Sequence, residues 1–169
     1  RQIVAEELGL NFEDVGTVTG DTKVTPHDYA CCASRTLYVG GTAAKGAAED
    51  AKRKIFELAA PALGVKPDEL ELRDRKVYVR GAPEKAAPLS EILTSSVTGE
   101  CRLEPTPTVA PLREKLYKGA AIAHVVEVEV DVETGEIKIL KHVVAHDIGK
   151  AINPAVVENQ LYGGAIQGI

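Results

Sequence analysis

The amino-acid sequence predicts an α+β fold, with antiparallel β-hairpins packed against a long alanine-rich helix and a C-terminal helix. Two patterns carry this prediction: apolar residues at helical spacing over 34–63, and strict alternation on both sides of a glycine turn within 126–145. The first pattern has the period of an amphipathic helix and the second that of a strand. Helical stretches and antiparallel hairpins in separate parts of one chain are typical of the α+β class.

The elements of the first third follow from local patterns. Residues 2–9 place apolar side chains roughly on one helical face and end in Gly9, which predicts a short helix with a glycine stop. Residues 14–22 contain β-branched side chains and close with Gly-Asp, so they predict a strand followed by a turn. From Ser34 to about Leu63, alanine and larger apolar residues recur at spacings of three and four, which predicts the longest helix.

The middle of the chain is predicted to be a hairpin, a short helix and a connection. Two alternating segments, 69–73 and 76–80, flank a two-residue Asp-Arg turn and predict the hairpin. A short helix is predicted over 89–96, directly after a proline. Residues 104–119 contain three prolines and little periodicity, which indicates a connection without regular structure.

The last third is predicted to form a long hairpin and a final helix. Apolar and charged residues alternate over 126–131 and again from 137 to 145, on both sides of a Gly turn, which predicts antiparallel strands with one solvated face. Asn153 and Pro154 suit the N-cap and the first position of a helix. This helix is predicted to be still running at Ile169.

Composition excludes several classes of function. The chain has 169 residues, 44% of them hydrophobic, which is ordinary for a domain that buries a core. The net charge of −5 argues against a general binder of nucleic acids or anionic membranes, and no apolar run is long enough to span a bilayer. Three cysteines without metal-ligand spacing predict a reducing, cytoplasmic setting.

The chain begins with Arg1 and contains no methionine. The predicted final helix also has no polar terminator before the sequence ends. We therefore expect residues 1–169 to be a fragment of one domain that is truncated at both ends.

The first candidate binding segment is the loop that leads into the long helix. Ser34 is predicted to be the N-cap, so the backbone N–H groups of Arg35, Thr36 and Leu37 would point out of the helix start beside a guanidinium group. This arrangement suits a phosphate or another anionic ligand. The alternative is that Ser34 only caps the helix and Arg35 is a surface charge.

The second candidate segment joins the long hairpin to the final helix. Residues 147–153 are polar and contain glycine, and beyond them Gln160, Gly163, Gly164 and Gln167 share one helical face. Glycine in a helix costs roughly 1 kcal/mol relative to alanine, so two adjacent glycines suggest a close approach to the backbone. Either a ligand or another, tightly packed helix could make that approach.

The remaining candidates are weaker. No histidine has metal-ligand spacing to a cysteine or a carboxylate, and all four are predicted to be structural or solvated: His27, His124, His142 and His146. The adjacent cysteines are predicted to be small loop residues, Cys31 and Cys32. The acidic residues of the long hairpin are predicted to form its solvated face rather than a catalytic carboxylate pair.

Two motifs in the candidate segments resemble a known family. The first runs from Asp21-Thr22 through Thr25-Pro26 to Ala33-Ser-Arg-Thr36, and the second is Asp147-x-Gly-x-x-Ile-Asn-Pro154, followed by Gln160 and a glycine-rich stretch. In this order and separation they resemble the molybdopterin-binding large subunit of the xanthine dehydrogenase and aldehyde oxidase family, the molybdenum hydroxylases. The similarity runs over essentially all of the chain and covers a minor part of that subunit, within its C-terminal half.

The resemblance implies a molybdenum–molybdopterin cofactor, in its cytosine dinucleotide form. By the same resemblance seven residues would bind the cofactor or form the elbow beside it: Ala33, Ser34, Arg35, Thr36, Asp147, Asn153 and Gln160. It assigns no catalytic residue and no metal ligand here, because the family's glutamate base and substrate loops have no counterpart in these residues.

The resemblance also implies an oxidoreductase that oxidises or reduces an aromatic, heterocyclic or aldehyde-type small molecule. The implied partners are iron–sulfur and FAD-binding subunits or domains, carrying [2Fe-2S] and FAD, and the remainder of the large subunit. No nucleic acid and no membrane are implied. The alternative is a non-redox α+β module that binds a phosphate-bearing metabolite or mediates subunit assembly.

Overall fold

The computed structural model describes residues 1–25, 27, 31–94 and 121–169, which belong to two units. The first unit, Arg1–Arg113, contains α1 (Gln2–Glu7), α2 (Thr36–Leu63), β1 (Leu70–Arg73), β2 (Lys76–Val79), β3 (Ala82–Pro88) and α3 (Leu89–Leu93). The second unit, Glu114–Ile169, contains β4 (Ala121–Val130), β5 (Ile137–Asp147) and α4 (Pro154–Gln167). Helices and small antiparallel sheets confirm the predicted α+β class.

The core of the first unit lies between α2 and a three-stranded antiparallel sheet in the order β1-β2-β3. Alternation places one face of β1 and β2 inward, and α2 contributes one stripe of small and branched side chains. The buried cluster consists of Ile55, Ala59, Ala60, Leu70, Leu72, Val77, Val79 and Ile92. The alanines of α2 bring its backbone close to the sheet, which leaves Leu70 and Val77 as the largest fully buried side chains.

The predicted β1–β2 hairpin is confirmed. Its strands pair Leu70 with Val79 and Leu72 with Val77 across a two-residue turn. Asp74 and Arg75 have φ values of 49° and 62° in that turn. Positive φ at both central positions gives the turn a twist that matches the twist of the strands, which is why short hairpins use it.

The third strand, β3, was not predicted. Its sequence contains two prolines and no clean alternation, so the local pattern does not indicate a strand. It pairs with β2 at the edge of the sheet, with a register irregularity at Tyr78 and Val79. A proline is tolerated at an edge because one side of the strand has no partner that requires its N–H.

Three predicted boundaries or elements were wrong. The strand predicted over 14–22 does not form: a 3₁₀ turn at Phe12–Asp14 leads into irregular backbone. A β-branched stretch becomes a strand only where a neighbour accepts its hydrogen bonds, and no described strand pairs with this one. The short third helix ends at Leu93 rather than at 96, and α4 ends at Gln167 rather than running through Ile169. The connection predicted over 104–119 lies outside the described residues.

The second unit is built on the predicted long hairpin, which extends further than the sequence indicated. The strands pair from Ala121 with Asp147 to Val130 with Ile137. Asp131 organises the turn: its Oδ1 accepts hydrogen bonds from the backbone N–H groups of Glu133, at 2.8 Å, and Thr134, at 3.1 Å. These two bonds lower the pKa of Asp131, because they stabilise its charged form.

The two faces of this hairpin differ in chemistry. One carries glutamates and lysines, whereas the other carries aliphatic residues and histidines. A single solvated face was predicted, but every residue of β4 is exposed, and Val130 and Ile137 on the aliphatic face are 50% and 64% exposed. Alternation thus reports which side chains share a face, and burial of that face depends on what covers it.

Acidification should weaken the ion pair that joins the 3₁₀ turn to the β1–β2 turn. Arg75 contacts Asp14 through Nη2, at 2.7 Å, and donates a hydrogen bond from Nε at 2.8 Å. The hydrogen bond from Arg75 lowers the pKa of Asp14 below its ordinary value of 3.8, so this stabilisation is complete above the unfolded-state pKa of about 3.9 and is lost as the pH falls through the folded-state value. We expect the melting temperature of the wild type to exceed that of Arg75→Gln at neutral pH, and the gap to shrink towards about pH 2. A gap that does not change with pH would contradict this assignment.

Candidate functional site

A left-handed turn precedes α2, in the first candidate segment. Ala33 and Ser34 have φ values of 51° and 53°, which are uncommon for residues with a Cβ. The backbone N–H of Arg35 closes this turn by donating to the carbonyl of Cys32 at 3.2 Å. The segment therefore forms a tight, strained bend directly before the N-terminus of α2. Strained backbone of this kind is found disproportionately where proteins bind ligands.

The predicted N-cap was wrong by one residue. The helix starts at Thr36, and Arg35 occupies its N-cap position. The Arg35 side chain makes no capping hydrogen bond to the first turn. Ser34 lies in the left-handed turn because the bend at 33–34 places it outside the helix. The N–H groups of the first helical turn are consequently those of Thr36, Leu37 and Tyr38, since the helical ladder begins with the bond from Val39 N–H to the Arg35 carbonyl at 2.8 Å.

The electrostatics at this helix start favour an anion. The first turn of α2 contains no acidic residue, so its partial positive charge is not offset there. Arg35 adds a guanidinium group and is half-buried, whereas Ser34 and Thr36 are exposed. Both Ser34 and Arg35 already take part in interactions of their own, so a ligand would bind to a segment that is partly ordered in advance.

Contacts with α1 fix the position of this end of α2. A Cβ added at Gly41 would lie 2.9 Å from Cδ1 of Ile3, so the glycine allows the two helices to approach closely. About three helical turns further along, Lys52 Nζ donates to the carbonyl of Glu7 at 2.8 Å, at the C-terminal end of α1. A cation at that position also interacts favourably with the helix dipole.

Upstream, Asp21 organises a compact turn. Its Oδ1 accepts a hydrogen bond from the backbone N–H of Lys23 at 2.9 Å, and its carbonyl accepts from both the N–H and the hydroxyl of Thr25, at 2.8 and 2.6 Å. Asp and Thr are typical of such turns because their short polar side chains bond to nearby backbone. The motif residue Pro26 lies outside the described residues.

The second candidate segment has the predicted capping geometry. Asp147 Oδ1 accepts from the N–H of Gly149 at 3.1 Å, and Gly149 has a φ of 66°, so the elbow needs a glycine there. Asn153 is the N-cap of α4 and accepts from Val156 N–H at 3.4 Å, with Pro154 at the first helical position. This confirms both predicted helix-start residues.

The glycine face of α4 makes no close approach to any described residue. A Cβ added at Gly163 or Gly164 would meet nothing within 4 Å. Gln160 is exposed and takes part in an interaction of its own, and no residue of α4 is buried among the described residues. The tight packing of a second helix that was considered for this face is therefore absent among the described residues.

Asn153→Ala should weaken the start of α4. It removes the side chain that accepts the Val156 N–H, and loss of such a cap typically costs about 1 kcal/mol. We expect faster amide hydrogen exchange in the first turn of α4, at Val156 and Val157. Asn159→Ala is the control, because it removes an amide from the middle of the same helix. Equal exchange rates in both variants would contradict the capping role.

The structure assigns the two candidate segments to different units. Ala33, Ser34, Arg35 and Thr36 belong to the first unit, and Asp147, Asn153 and Gln160 belong to the second. The predicted roles of all seven residues in cofactor binding stay predictions.

Sequence reasoning missed one side-chain cluster. His124 Nδ1 and His142 Nε2 lie 3.0 Å apart on the aliphatic face of the long hairpin, and the His146 ring lies 6.1 Å from that of His124. The sequence carried no signal for this, because a β-bulge at Glu127 and Val128 sets which residues share the face. Within the described residues, no group of three or more histidines, cysteines and carboxylates is arranged to hold a metal ion.

The other weak candidates behave largely as predicted. Cys31 and Cys32 are exposed loop residues with free thiols. Within the described ranges, no helix is both long and apolar enough to cross a membrane.

Comparison with known proteins decides the family. A model of the molybdopterin cofactor-binding domain matches residues 1–169, which is the whole chain. The chain belongs to this family. The resemblance inferred from the two motifs is therefore confirmed.

Relatives of this molybdopterin cofactor-binding domain are much longer proteins. It is 32% identical to the 6-hydroxypseudooxynicotine dehydrogenase complex subunit gamma of Paenarthrobacter nicotinovorans, covering 99% of the chain and 22% of the relative. It is 30% identical to the carbon monoxide dehydrogenase large chain of Afipia carboxidovorans, covering 96% and 20%. The chain thus spans about a fifth of the length of these relatives.

Solved structures support the same fold for this molybdopterin cofactor-binding domain. It superposes on the reconstituted CO dehydrogenase from Oligotropha carboxidovorans with a TM-score of 0.73 and 28% identity, covering 96% of the chain and 20% of that structure's chain. It superposes on quinoline 2-oxidoreductase from Pseudomonas putida 86 with a TM-score of 0.72 and 26% identity, covering 96% and 21%.

Proposed function

We propose that this chain supplies part of the cofactor-binding wall in the molybdopterin-binding subunit of a molybdenum-dependent oxidoreductase. The observation that carries the proposal is the family match over the whole chain. The local geometry supports it, because both motif segments end at helix starts that have no acidic residue in the first turn. Helix starts of this kind are suited to phosphate groups.

The residues present fit a phosphate-bearing pterin cofactor. At the start of α2, the Arg35 guanidinium and the first-turn N–H groups are donors for phosphate oxygens, and the Thr36 hydroxyl can add another. On α4, the Gln160 amide can both donate to and accept from a pterin or a base. Asp147 and Asn153 would support the site without contacting the cofactor. Each accepts a hydrogen bond from nearby backbone and so holds the elbow in shape.

The division of labour is that of a cofactor enzyme. When bound, the molybdenum-containing pterin supplies the redox chemistry, and this chain binds and orients it. None of the described residues is assigned a catalytic role or a bond to the metal. The isolated chain is therefore expected to be inactive.

The finer features of the proposal concern the assembly. We assign the cofactor its cytosine dinucleotide form, and we assign [2Fe-2S] and FAD to partner subunits or domains that carry electrons. Residues 1–169 would be one fragment of a domain within a longer, cytoplasmic large subunit. Among the relatives, a nicotine 6-hydroxylase and a quinoline 2-oxidoreductase support an aromatic or heterocyclic small-molecule substrate, and we extend the proposal to substrates of the aldehyde type.

The test is to purify the complete native complex and measure its content of molybdenum, of pterin and of cytosine nucleotide released by acid hydrolysis. We expect all three, each in a ratio near unity to the large subunit. A fully assembled complex with neither molybdenum nor pterin would contradict the proposal and favour the alternative of a non-redox binding or assembly module. Molybdenum and pterin without cytosine nucleotide would contradict only the dinucleotide assignment.

Substitutions in the same complex test the assigned residues. Arg35→Ala and Gln160→Ala should each lower molybdenum occupancy by about tenfold at limiting cofactor, because each removes a hydrogen-bonding or charged contact worth 1–2 kcal/mol. Matched controls are Arg80→Ala, which removes an exposed guanidinium from the same unit as Arg35, and Asn159→Ala, which removes the amide next to Gln160. Equal occupancy in the variants and their controls would contradict the assigned roles.

A further inference from the structure

Two histidine rings meet on the aliphatic face of the long hairpin, outside the proposed cofactor segments. His124 Nδ1 and His142 Nε2 share a hydrogen bond of 3.0 Å, in which the tautomers of the two rings decide the donor, and the ring centroids are 5.2 Å apart. The residues lie diagonally across the two strands, since His124 pairs with Val144 and His142 pairs with Val126. Diagonal neighbours on one face are within reach of each other when their side chains are long.

The β-bulge between Glu127 and Val128 creates this juxtaposition. From Val128 to Val130, partners follow the register that pairs Val130 with Ile137; beyond the bulge, the register shifts by one residue. Without that shift, the side chains of His142 and His146 would lie on the opposite face from His124, because side chains alternate along a strand. A bulge that re-aims side chains in this way is a common device beside functional sites.

A metal ion could replace the proton that the two nitrogens share. Imidazole nitrogens bind divalent transition metals at about 2.0–2.1 Å, so two nitrogens that stay 3.0 Å apart would subtend an angle of about 91–97° at one ion. A tetrahedral ion would hold them about 3.3–3.4 Å apart. Right angles between nitrogen ligands belong to the tetragonal geometry of Cu²⁺ and Ni²⁺.

The surroundings of the pair are compatible with a bound cation. The charged residues of the hairpin, among them Glu127, Glu129 and Lys141, alternate onto the opposite face. The neighbours on the histidine face are aliphatic, and Val126, Val128 and Ile139 line a shallow groove with the two rings. Among the described residues of β4 and β5, no lysine or arginine lies on this face to repel the ion, and the His124 side chain is exposed in this chain.

We propose that His124 and His142 form a two-histidine site for a divalent transition metal ion that prefers right-angled ligands, with water in its remaining positions. The two proposed ligands belong to neither motif segment. His146 is not a ligand: its ring lies 6.1 Å from that of His124, edge-on, on the far side from His142.

The experiment uses the 169-residue chain with Cys31, Cys32 and Cys101 replaced by serine, so that thiols neither bind nor reduce the probe. Cu²⁺ is titrated by calorimetry, and the bound ion is examined by pulsed electron paramagnetic resonance, which counts coordinated imidazoles through their remote nitrogens. We expect a single strong site with two imidazoles. This spectrum needs no histidine substitution, and a cooperative urea transition of the same sample shows that the chain is folded.

Three variants separate the pair from adventitious binding. His124→Ala and His142→Ala should weaken Cu²⁺ binding by at least about tenfold, since even the loss of an outer-shell partner of a metal ligand typically costs 10–100-fold, and each variant should lose the two-imidazole signal. His146→Ala is the control and should bind as the parent does. A one-imidazole spectrum in the parent, or an equal loss in His146→Ala, would overturn the proposal.

Discussion

Replacing Gly9 by alanine is expected to destabilise the first unit by about 3 kcal/mol. Gly9 has a φ of 57°, which costs a residue with a Cβ roughly 1–2 kcal/mol. An added Cβ would also lie well inside contact distance of the carbonyl oxygen of Leu72. That oxygen belongs to backbone in β1 and cannot rotate away, so the strand or the end of α1 must move.

A specific tertiary bond would be disturbed by that movement. The Gly9 carbonyl accepts a hydrogen bond from Asp74 N–H at 3.0 Å, which ties the end of α1 to the β1–β2 turn. The measurement is urea denaturation, together with amide hydrogen exchange in β1 and β2, which reports on this unit alone. The two probes are needed because units of one chain can unfold separately.

Gly81→Ala is the matched control for Gly9→Ala. Gly81 has a φ of 78° in the same sheet, but an added Cβ there would meet nothing within 4 Å. We expect a loss of only about 1–2 kcal/mol, from the backbone conformation alone. If both variants lose the same stability, the close approach of Leu72 contributes nothing and the prediction is wrong.

Leu70→Ala is expected to destabilise the same unit by about 3 kcal/mol, within the 2–5 kcal/mol typical of buried leucine truncations. Leu70 is 0% exposed and belongs to the core cluster between α2 and the sheet. Its removal would leave a cavity that the backbone of β1 cannot close, because the strand is held in register by pairing with β2.

The control for Leu70→Ala is the same substitution at an exposed position. Leu37 is 51% exposed at the start of α2, so Leu37→Ala should cost less than about 1 kcal/mol. Urea denaturation and hydrogen exchange in β2 distinguish the two. A similar loss in both variants would mean that the cluster around Leu70 is not the core of this unit.

Much of the fold could be predicted because its signals are local. The spacing of alanines gave the helix over 36–63 to within two residues, and alternation gave both hairpins. Asn153 was recognised as the cap of α4 because asparagine is favoured at the N-cap and proline at the first helical position that follows it. Each of these patterns reflects an interaction between residues that are only a few positions apart in the sequence.

The errors have one physical origin. Residues 14–22 look like a strand but have no partner in the described sheets, whereas β3 does not look like a strand and forms one because β2 offers an edge. Strand formation is decided by a neighbour that can be distant in sequence. Likewise Ser34 is a good cap by residue type, but the left-handed bend at 33–34 moves it out of the helix.

The candidate sites, like the fold, were determined partly by local sequence and partly by tertiary contacts. The sequence by itself determined the α+β class, the family and the two segments assigned to the cofactor, because residue identity and order carry that information. Only the tertiary structure decided where α2 begins, which sheet edge β3 joins, and that a bulge places His124 beside His142. Those outcomes depend on register and on contact between strands, and a change of register by one residue reverses the face on which every side chain lies.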